Sequence, residues 1–292
     1  MNGATNGQSA PRTALVTGAS RGLGRVIAER LWSLGMNLVL VGRDARTLDH
    51  VVGELPSRDG GRALAVAVDL ADPSAGLAIA RRTSETFDGV DAVVHNAAVQ
   101  GPIGPLETTD SDEWQRAVQV NLLAPAALTR ACLPLMRSRR GRGKIVFISG
   151  GGATGPRPRF SAYATAKAGL VRLAETLAEE LRPDGIDVNC VAPGAMRSAM
   201  TDAVLAAGAE QAGDREFRDA ERIRAEAAKV IDRAADLCAF LVSSGSDGIT
   251  GKLISAVWDP WEELPSRLAD LRASDVYTLR RIVPKDRGLG WG

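Results

Sequence analysis

Seven short runs of apolar, mostly β-branched residues recur along the chain, at residues 13–17, 37–41, 63–68, 91–95, 144–149, 187–191 and 252–257. They are largely continuous rather than alternating. A strand that faces water on one side alternates apolar and polar residues, whereas a strand covered on both faces does not. Between the runs lie helix-length segments with a charged face, such as residues 22–34 and 164–181. Strand and helix taking turns imply right-handed crossovers and a parallel sheet. The expectation is therefore an α/β fold: a single doubly wound domain with a seven-stranded parallel sheet flanked by helices.

The chain has 292 residues, enough for one large domain or two small ones. It carries no internal repeat and no linker rich in Pro, Gly or Ser, which favours one. The formal net charge is +1, with acids and bases interspersed, and this argues against nucleic acid as a partner. Cys132, Cys190 and Cys238 are far apart and each sits in an apolar run, as expected of reduced, buried thiols in a cytoplasmic protein. His50 and His95 are the only histidines, so no histidine-based metal site is expected. Residues 1–11 are polar and read as a disordered leader. No apolar run reaches membrane-spanning length, and no membrane partner is expected. Two segments break the rhythm. Residues 195–229 form an Ala-rich, charged insert that reads as a substrate lid or a solvated helical pair. Residues 259–292 form an extension with Trp261, Trp291 and a short helix near residues 266–272, placed over a substrate cleft or across a subunit contact.

The first strand runs into T-G-A-S-R-G-L-G, residues 17–24, and then into a helix. Glycine has no Cβ, so such a turn lets backbone approach a pyrophosphate, and the helix N-terminus points free N–H groups and a positive dipole end at it. Gly18, Gly22 and Gly24 are spaced G-x3-G-x-G. In dinucleotide-binding folds an acid about 20 residues on marks NAD. Here the second strand ends V-L-V-G-R-D, with Arg43 in that region. Arg43 and Arg21 read either as a fork for the 2′-phosphate of NADP or as two solvated arginines. Asp44 follows directly and keeps NAD open, so the expectation is NADP(H) preferred over NAD(H). Asp69 ends the third strand and reads as an adenine contact or a strand-end cap.

These residues resemble the short-chain dehydrogenase/reductase family, over roughly residues 12–257. Residues 17–24 fit the family's T-G-x3-G-x-G turn. Asn96, Ala97 and Ala98 fit its N-N-A-G element, with His95 in the first Asn position and Ala98 in place of Gly. Asn121 fits the family's helix asparagine, and Tyr163 with Lys167 fits Y-x3-K. Asn189, Pro193 and Gly194 fit N-x3-P-G, and Ser198 stands where a cofactor-contacting Thr is usual. The resemblance implies a Rossmann-type fold and hydride transfer between a nicotinamide cofactor and a small-molecule ketone or alcohol. It implies a homodimer or homotetramer built on the helices near Asn121 and Tyr163. Cofactor contacts are implied at Gly18, Ser20, Arg21, Gly22, Leu23, Gly24, Arg43, Asp69, Leu70, Asn96, Ala97, Ala98, Tyr163, Lys167, Pro193, Gly194, Met196 and Ser198.

Tyr163 and Lys167 are four apart, so on a helix they share a face. A phenol titrates near pH 10 when unperturbed, and a neighbouring ammonium together with an oxidised nicotinamide is expected to lower that value. Tyr163 would then give a proton to a ketone oxygen or take one from an alcohol. In the family's manner Lys167 would also bond the nicotinamide ribose, and Asn121 would anchor a water leading from Lys167 to solvent. Ser161 reads as the N-cap of this helix, with a substrate contact as the alternative. His95 reads as a packing or cofactor-side residue rather than an acid or base.

The family's substrate-orienting serine lies thirteen residues before the tyrosine, and position 150 is glycine, in the run Ser149-Gly150-Gly151-Gly152. Three readings stay open. A one-residue bulge brings Ser149 to the site; backbone N–H groups of residues 150–152 polarise the carbonyl, as in an oxyanion hole; or the protein is not a working reductase. Arg157 and Arg159 in P-R-P-R-F read as solvated or as partners for a substrate anion, and the basic run 137–144 as a solvated loop or an acyl-carrier dock. The cleft segments are polar and poor in aromatics, which favours a polar, sugar-like or natural-product carbonyl substrate. An epimerase using transient oxidation and a non-catalytic dinucleotide-binding module are the competing functions.

Overall fold

The computed structural model describes residues 11–139, 141–225 and 229–291. The leader expected at residues 1–11 lies, except for Pro11, outside the described residues. Seven strands form one sheet: β1 (Thr13–Thr17), β2 (Asn37–Gly42), β3 (Ala63–Ala67), β4 (Ala92–His95), β5 (Gly143–Ile148), β6 (Ile186–Ala192) and β7 (Leu253–Ser255). The order is β3-β2-β1-β4-β5-β6-β7 and every pairing is parallel. The continuous apolar runs thus mark the strands to within a residue or two, and only the last is much shorter than its run.

Ten helices accompany the strands among the described residues: α1 (Gly22–Ser33), α2 (Ala45–Glu54), α3 (Ala75–Ser84), α4 (Ser111–Val118), α5 (Ala124–Arg137), α6 (Ser161–Glu180), α7 (Ala199–Ala212), α8 (Asp214–Ala225), α9 (Lys229–Val242) and α10 (Leu268–Ala273). Strand alternation divides the core. Ala14 and Val16 of β1 join α1, α2 and α9 on one face, through Ile27, Leu31, Leu48, Leu237 and Leu241. Leu15 points the other way and meets α3, α5 and α6, through Ile79, Leu128, Leu170 and Val171. Each fully buried Leu, Ile or Val contributes roughly 1.5–3 kcal/mol, which is why strands covered on both faces carry no polar alternation.

α4 and α5 are one rod, joined by a π-helical turn at Gln119–Leu123. The rod, Ser111–Arg137, is long and apolar enough by length and composition to cross a membrane, contrary to the expectation of no such run. Here it is a layer of the fold, with Leu128, Cys132 and Met136 in the core. The basic run 137–144 is not a free docking strip either. Arg137 pairs with Asp184, Arg139 with Asp91 and Arg142 with Asp187, while buried Lys144 bridges Asp187 and Asp247. Arg140 lies outside the described residues. All three cysteines are free and buried.

The extension after β7 lies along the sheet edge and the backs of two helices. Leu253 N–H donates to Tyr277 O at 2.8 Å, and Lys252 Nζ donates to Val276 O at 2.9 Å. Trp261 packs against Phe240 of α9, with ring centroids 5.5 Å apart. Leu279 N–H donates to Glu175 of α6. The short helix falls at Leu268–Ala273, close to its expected place.

Candidate active site

In this strand order the crossovers leave β1 and β4 in opposite directions, so a crevice opens beyond their C-terminal ends. It is a cleft of about 1230 Å³. The turn after β1 forms one end, and α7 and α8 form the other.

The glycine turn is held down by its neighbour strand. Thr17 Oγ1 accepts from Asn96 N–H and Ala97 N–H, both at 3.0 Å, and Asn96 Nδ2 donates to Thr17 O at 3.0 Å. A Cβ at Gly18 would stand 2.9 Å from Ala97 Cα, and one at Gly24 would stand 2.2 Å from Gly18 O. These two glycines are therefore demanded by packing inside the turn. Gly22 differs: its φ is +55° and nothing lies within 4 Å of its Cβ position. That bare face opens on the cleft beside Ser20, Arg21 and Leu23, a cradle fit for a diphosphate at the N-terminus of α1.

At the end of β2, Arg43 lines the same cleft as Arg21. Neither is ion-paired among the described residues, since the nearby Asp69 carboxylate is held by Arg116 at 2.9 Å. Asp69 also accepts from Ala71 N–H, and these bonds hold its carboxyl below the usual range. So Asp69 caps its own loop, one of the two roles expected, while still facing the cleft with Leu70. A surplus of two such guanidinium groups at the mouth fits a phosphate-bearing cofactor. Ala98, Pro193, Gly194, Met196 and Ser198 line the cleft farther in. Ser198 also caps α7, accepting from Thr201 N–H at 3.4 Å.

Tyr163 and Lys167 sit on the buried face of α6, as their spacing requires. Lys167 Nζ donates to Ile148 O at 2.7 Å and lies 5.6 Å from the Tyr163 ring centre. Burial lowers the Lys167 ammonium to about 8. In the cofactor-free chain the Tyr163 pKa is raised, because burial of the phenol dominates; the expected lowering refers to the site with an oxidised nicotinamide bound. The cation that opposes burial is Arg157, not Lys167. The phenol is thus kept in the form that donates a proton. Asn121 is fully buried in the π-turn, and its side chain is committed to Val99, accepting from N–H at 2.9 Å and donating to O at 2.8 Å. A water anchored at this residue has its main chain and the remaining amide N–H to bind.

Two further expectations change. Ser161 is not the N-cap of α6; Phe160 is, and Ser161 Oγ instead accepts from Trp114 Nε1 at 3.1 Å, tying α4 to α6. His95 is a packing residue. It stacks on Phe147 at 4.7 Å, bonds Thr129 through Nε2, and is lowered to about 3 by burial, so it is neutral.

Packing demands glycine at 150 and at 152, but not at 151. A Cβ at Gly150 would meet Tyr163 Oη at 2.4 Å, so the phenol stands where a side chain would be. A Cβ at Gly151 would touch the Arg157 side chain, 3.7 Å from Cδ. Gly152 has φ +90° and lets α6 approach, because its Cβ would lie 2.6 Å from Ala164 Cβ. Of the three open readings, a bulge in the glycine run that brings Ser149 to the site finds no support here. Ser149 N–H continues the regular ladder to Val191 O at 2.8 Å, and its Oγ is buried with no hydrogen-bond partner among the described residues.

Arg157 and Arg159 are not free anion receptors. Arg157 donates from Nε and Nη2 to Glu216 Oε2, at 3.1 and 2.7 Å, and stacks on Phe160 at 4.0 Å. Arg159, with φ +69°, donates to the carbonyls of Glu210 and Gln211 at the end of α7. Together they tie the insert to the loop before α6, over a small core of Phe160, Val204, Ala212 and Ala220. The Glu216 partnership has no signal in sequence, since 59 residues separate the pair. Trp258, 85 % exposed at the cleft edge, was likewise not singled out from sequence.

The short chain dehydrogenase family profile matches residues 12–208. The chain belongs to this family. It is accordingly an oxidoreductase with the family's Rossmann-type fold. A short chain dehydrogenase of Pseudocercospora fijiensis is 35 % identical over 66 % of this chain, which spans 62 % of that relative's length. Dehydrogenase/reductase SDR family member 4 of Pongo abelii is 30 % identical over 84 % of this chain and 86 % of its own. Among solved structures, a short chain dehydrogenase from Shigella flexneri complexed with NADP has a TM-score of 0.71 and 28 % identity, covering 84 % of this chain and 96 % of its own. The KRED1-Pglu enzyme has a TM-score of 0.73 and 29 % identity, covering 83 % and 100 %.

Proposed function

We propose that this short-chain dehydrogenase reduces a ketone to a secondary alcohol, or runs the reverse, with NADP(H) preferred over NAD(H). The observation that carries the reading is the buried Tyr163 hydroxyl, kept protonated, facing a cleft that begins at the glycine turn. Gly18, Ser20, Arg21, Gly22, Leu23 and Gly24 would hold the diphosphate, and Arg21 with Arg43 the 2′-phosphate. Asp69 and Leu70 would flank the adenine. Asn96, Ala97, Ala98, Pro193, Gly194, Met196 and Ser198 would line the nicotinamide half, with Lys167 at the ribose. When bound, the cofactor supplies the hydride. The chain's own part is to hold the carbonyl oxygen at Tyr163, deliver the phenolic proton as the oxygen gains charge, and re-protonate the phenol through Lys167 and the main chain at Asn121. Ser149 is the hydroxyl nearest in sequence to the missing serine, but its Oγ is buried and stays out of the reaction.

The substrate end is lined by Arg157, Asp202, Glu216 and Asp219, which supports a polar, sugar-like or natural-product carbonyl compound. We read residues 12–258 as the catalytic unit, with α7 and α8 as its lid. An exposed Leu123 and the apolar Ser111–Arg137 rod, only 39 % buried over its apolar window, support a homodimer or homotetramer on this face. The test is NADPH oxidation with a panel of cyclic, aryl and hydroxylated ketones, with Tyr163→Phe alongside. The variant is expected to lose about 10²–10⁴-fold in kcat while still binding NADPH; turnover at the wild-type rate would refute the role of Tyr163.

A further inference from the structure

We propose that Arg157 is the second hydrogen-bond donor to the substrate carbonyl oxygen, taking over from the serine that position 150 lacks, with Glu216 of the lid orienting it. The inference rests on the ketone-reduction reading above.

Three observations lead to it. First, no side chain fits at residue 150 while Tyr163 holds its place, because even a Cβ would come within 2.4 Å of Oη. Second, the neighbouring hydroxyl is out of reach: Ser149 Oγ is sealed from the surface and remains in the strand's regular register. Third, the bare backbone at Gly151 and Gly152 is covered by Arg157, whose Cδ, Nε and Cζ lie 3.7–3.9 Å from the Gly151 Cβ position. The guanidinium sits 5.6 Å from the Tyr163 ring centre, lines the same cleft and is 17 % exposed. Glu216 uses only Nε and Nη2. A guanidinium has five N–H groups in a planar fork, so donors remain for an oxygen beside the phenol.

The chemistry balances with no change at Arg157. The carbonyl carbon gains the hydride, the C=O π pair moves onto oxygen, and oxygen takes the Tyr163 proton. The guanidinium stays protonated and only stabilises the developing negative charge. Glu216 holds the fork in place from α8, so closure of the lid and assembly of the donor set are one event.

The experiment uses the full chain labelled with [13Cζ]tyrosine. Only two tyrosines exist, and Tyr277→Phe assigns the Tyr163 resonance. The charges set around Tyr163 are Arg157 from the preceding loop, Lys167 from its own helix, and Glu216 behind Arg157 from α8. Arg157→Gln is expected to move the Tyr163 titration up, and Arg157→Lys to keep it near the wild-type position. An unmoved resonance overturns the proposal. The second arm is reduction of 9,10-phenanthrenequinone by NADPH. Arg157→Gln is expected to lower kcat about 100-fold with the KM for NADPH unchanged. Arg157→Lys should recover part of the rate, and Ser149→Ala should match wild type. Should Arg157→Gln misfold, Glu216→Gln leaves the arginine in place and is expected to lower kcat about tenfold; an unchanged kcat in Glu216→Gln counts against the proposal. If Ser149→Ala loses the rate and Arg157→Gln keeps it, the serine is the donor and the proposal is overturned, although ketone reduction stands. If the wild type reduces neither the quinone nor any ketone in the panel, the functional reading fails, and the resonance shift alone decides whether Arg157 acts on the phenol.

Discussion

The hydroxyl of Tyr163 stands 2.4 Å from the point that a Cβ at Gly150 would occupy. The two residues are a steric pair: a side chain at 150 and a phenol in this seat exclude each other. Gly150→Ser, which restores the family's serine by sequence, is therefore expected to damage the site rather than improve it. Overpacking here should cost about 1–3 kcal/mol and push Tyr163 out of position. Gly155→Ser is the control, since nothing lies within 4 Å of that Cβ position. Urea unfolding of both variants checks this. Equal midpoints for the two would show that the phenol yields without cost.

This pair also shows where sequence reading stops. The strands were legible because burial on both faces writes itself as continuous apolar runs, and the Tyr–Lys face followed from helical spacing alone. Ser161 was misread as a cap because its hydroxyl has a partner 47 residues away, Trp114. The charge neighbours of Tyr163 are visible in a motif, whereas the burial that raises its pKa in the cofactor-free chain is not. Arg157 was visible in P-R-P-R-F, but its role depends on Glu216 and on what three glycines make room for, and both are facts of packing.

Arg21 and Arg43 line one end of the cleft with no ion-pair partner among the described residues, and Asp69 is already taken by Arg116. A charge-assisted bond to a 2′-phosphate contributes about 1.5–3 kcal/mol. Arg43→Ala should weaken NADPH binding by about 10–100-fold and leave NADH binding near its starting value. Calorimetric titration with both cofactors reads the difference. Equal losses for the two would place Arg43 elsewhere than at the 2′-phosphate.

Lys167 is buried, bonded to Ile148 O, and lowered to about 8 from 10.5 by burial. The folded state therefore disfavours the charge, and the penalty is complete below pH 8. Between pH 8 and 10.5 the unfolded chain holds more protons, so stability rises with pH across that window. Lys167→Met is expected to stabilise the cofactor-free protein at pH 7 by about 1–3 kcal/mol while removing activity. It should also flatten the rise above pH 8. Unfolding curves at pH 7 and 10 check both parts, and a destabilised variant at pH 7 would mean the bond to Ile148 outweighs the burial of charge.

His95 offers the complementary case in acid. Its ring is enclosed between Phe147 and Thr129 and does not take a proton until about pH 3. In the unfolded chain the imidazole titrates near 6.5. Between those values the unfolded state binds the extra proton, so stability falls as pH falls, and the loss is complete near pH 3. From pH 7 to 4 this one group should remove roughly 3 kcal/mol. Asp187 adds little over that range: burial pushes its carboxyl up, but Arg142, Gly248 N–H and Lys144 outweigh burial and hold it low, so its contribution is lost only at still lower pH. His95→Asn keeps a polar partner for Thr129 without an ionisable ring. The variant should be less stable at pH 7, from lost stacking, yet show a shallower decline between pH 7 and 4. Parallel acid slopes for wild type and His95→Asn would mean that the imidazole is protonated in the folded state after all, and that the acid sensitivity lies in the carboxylates.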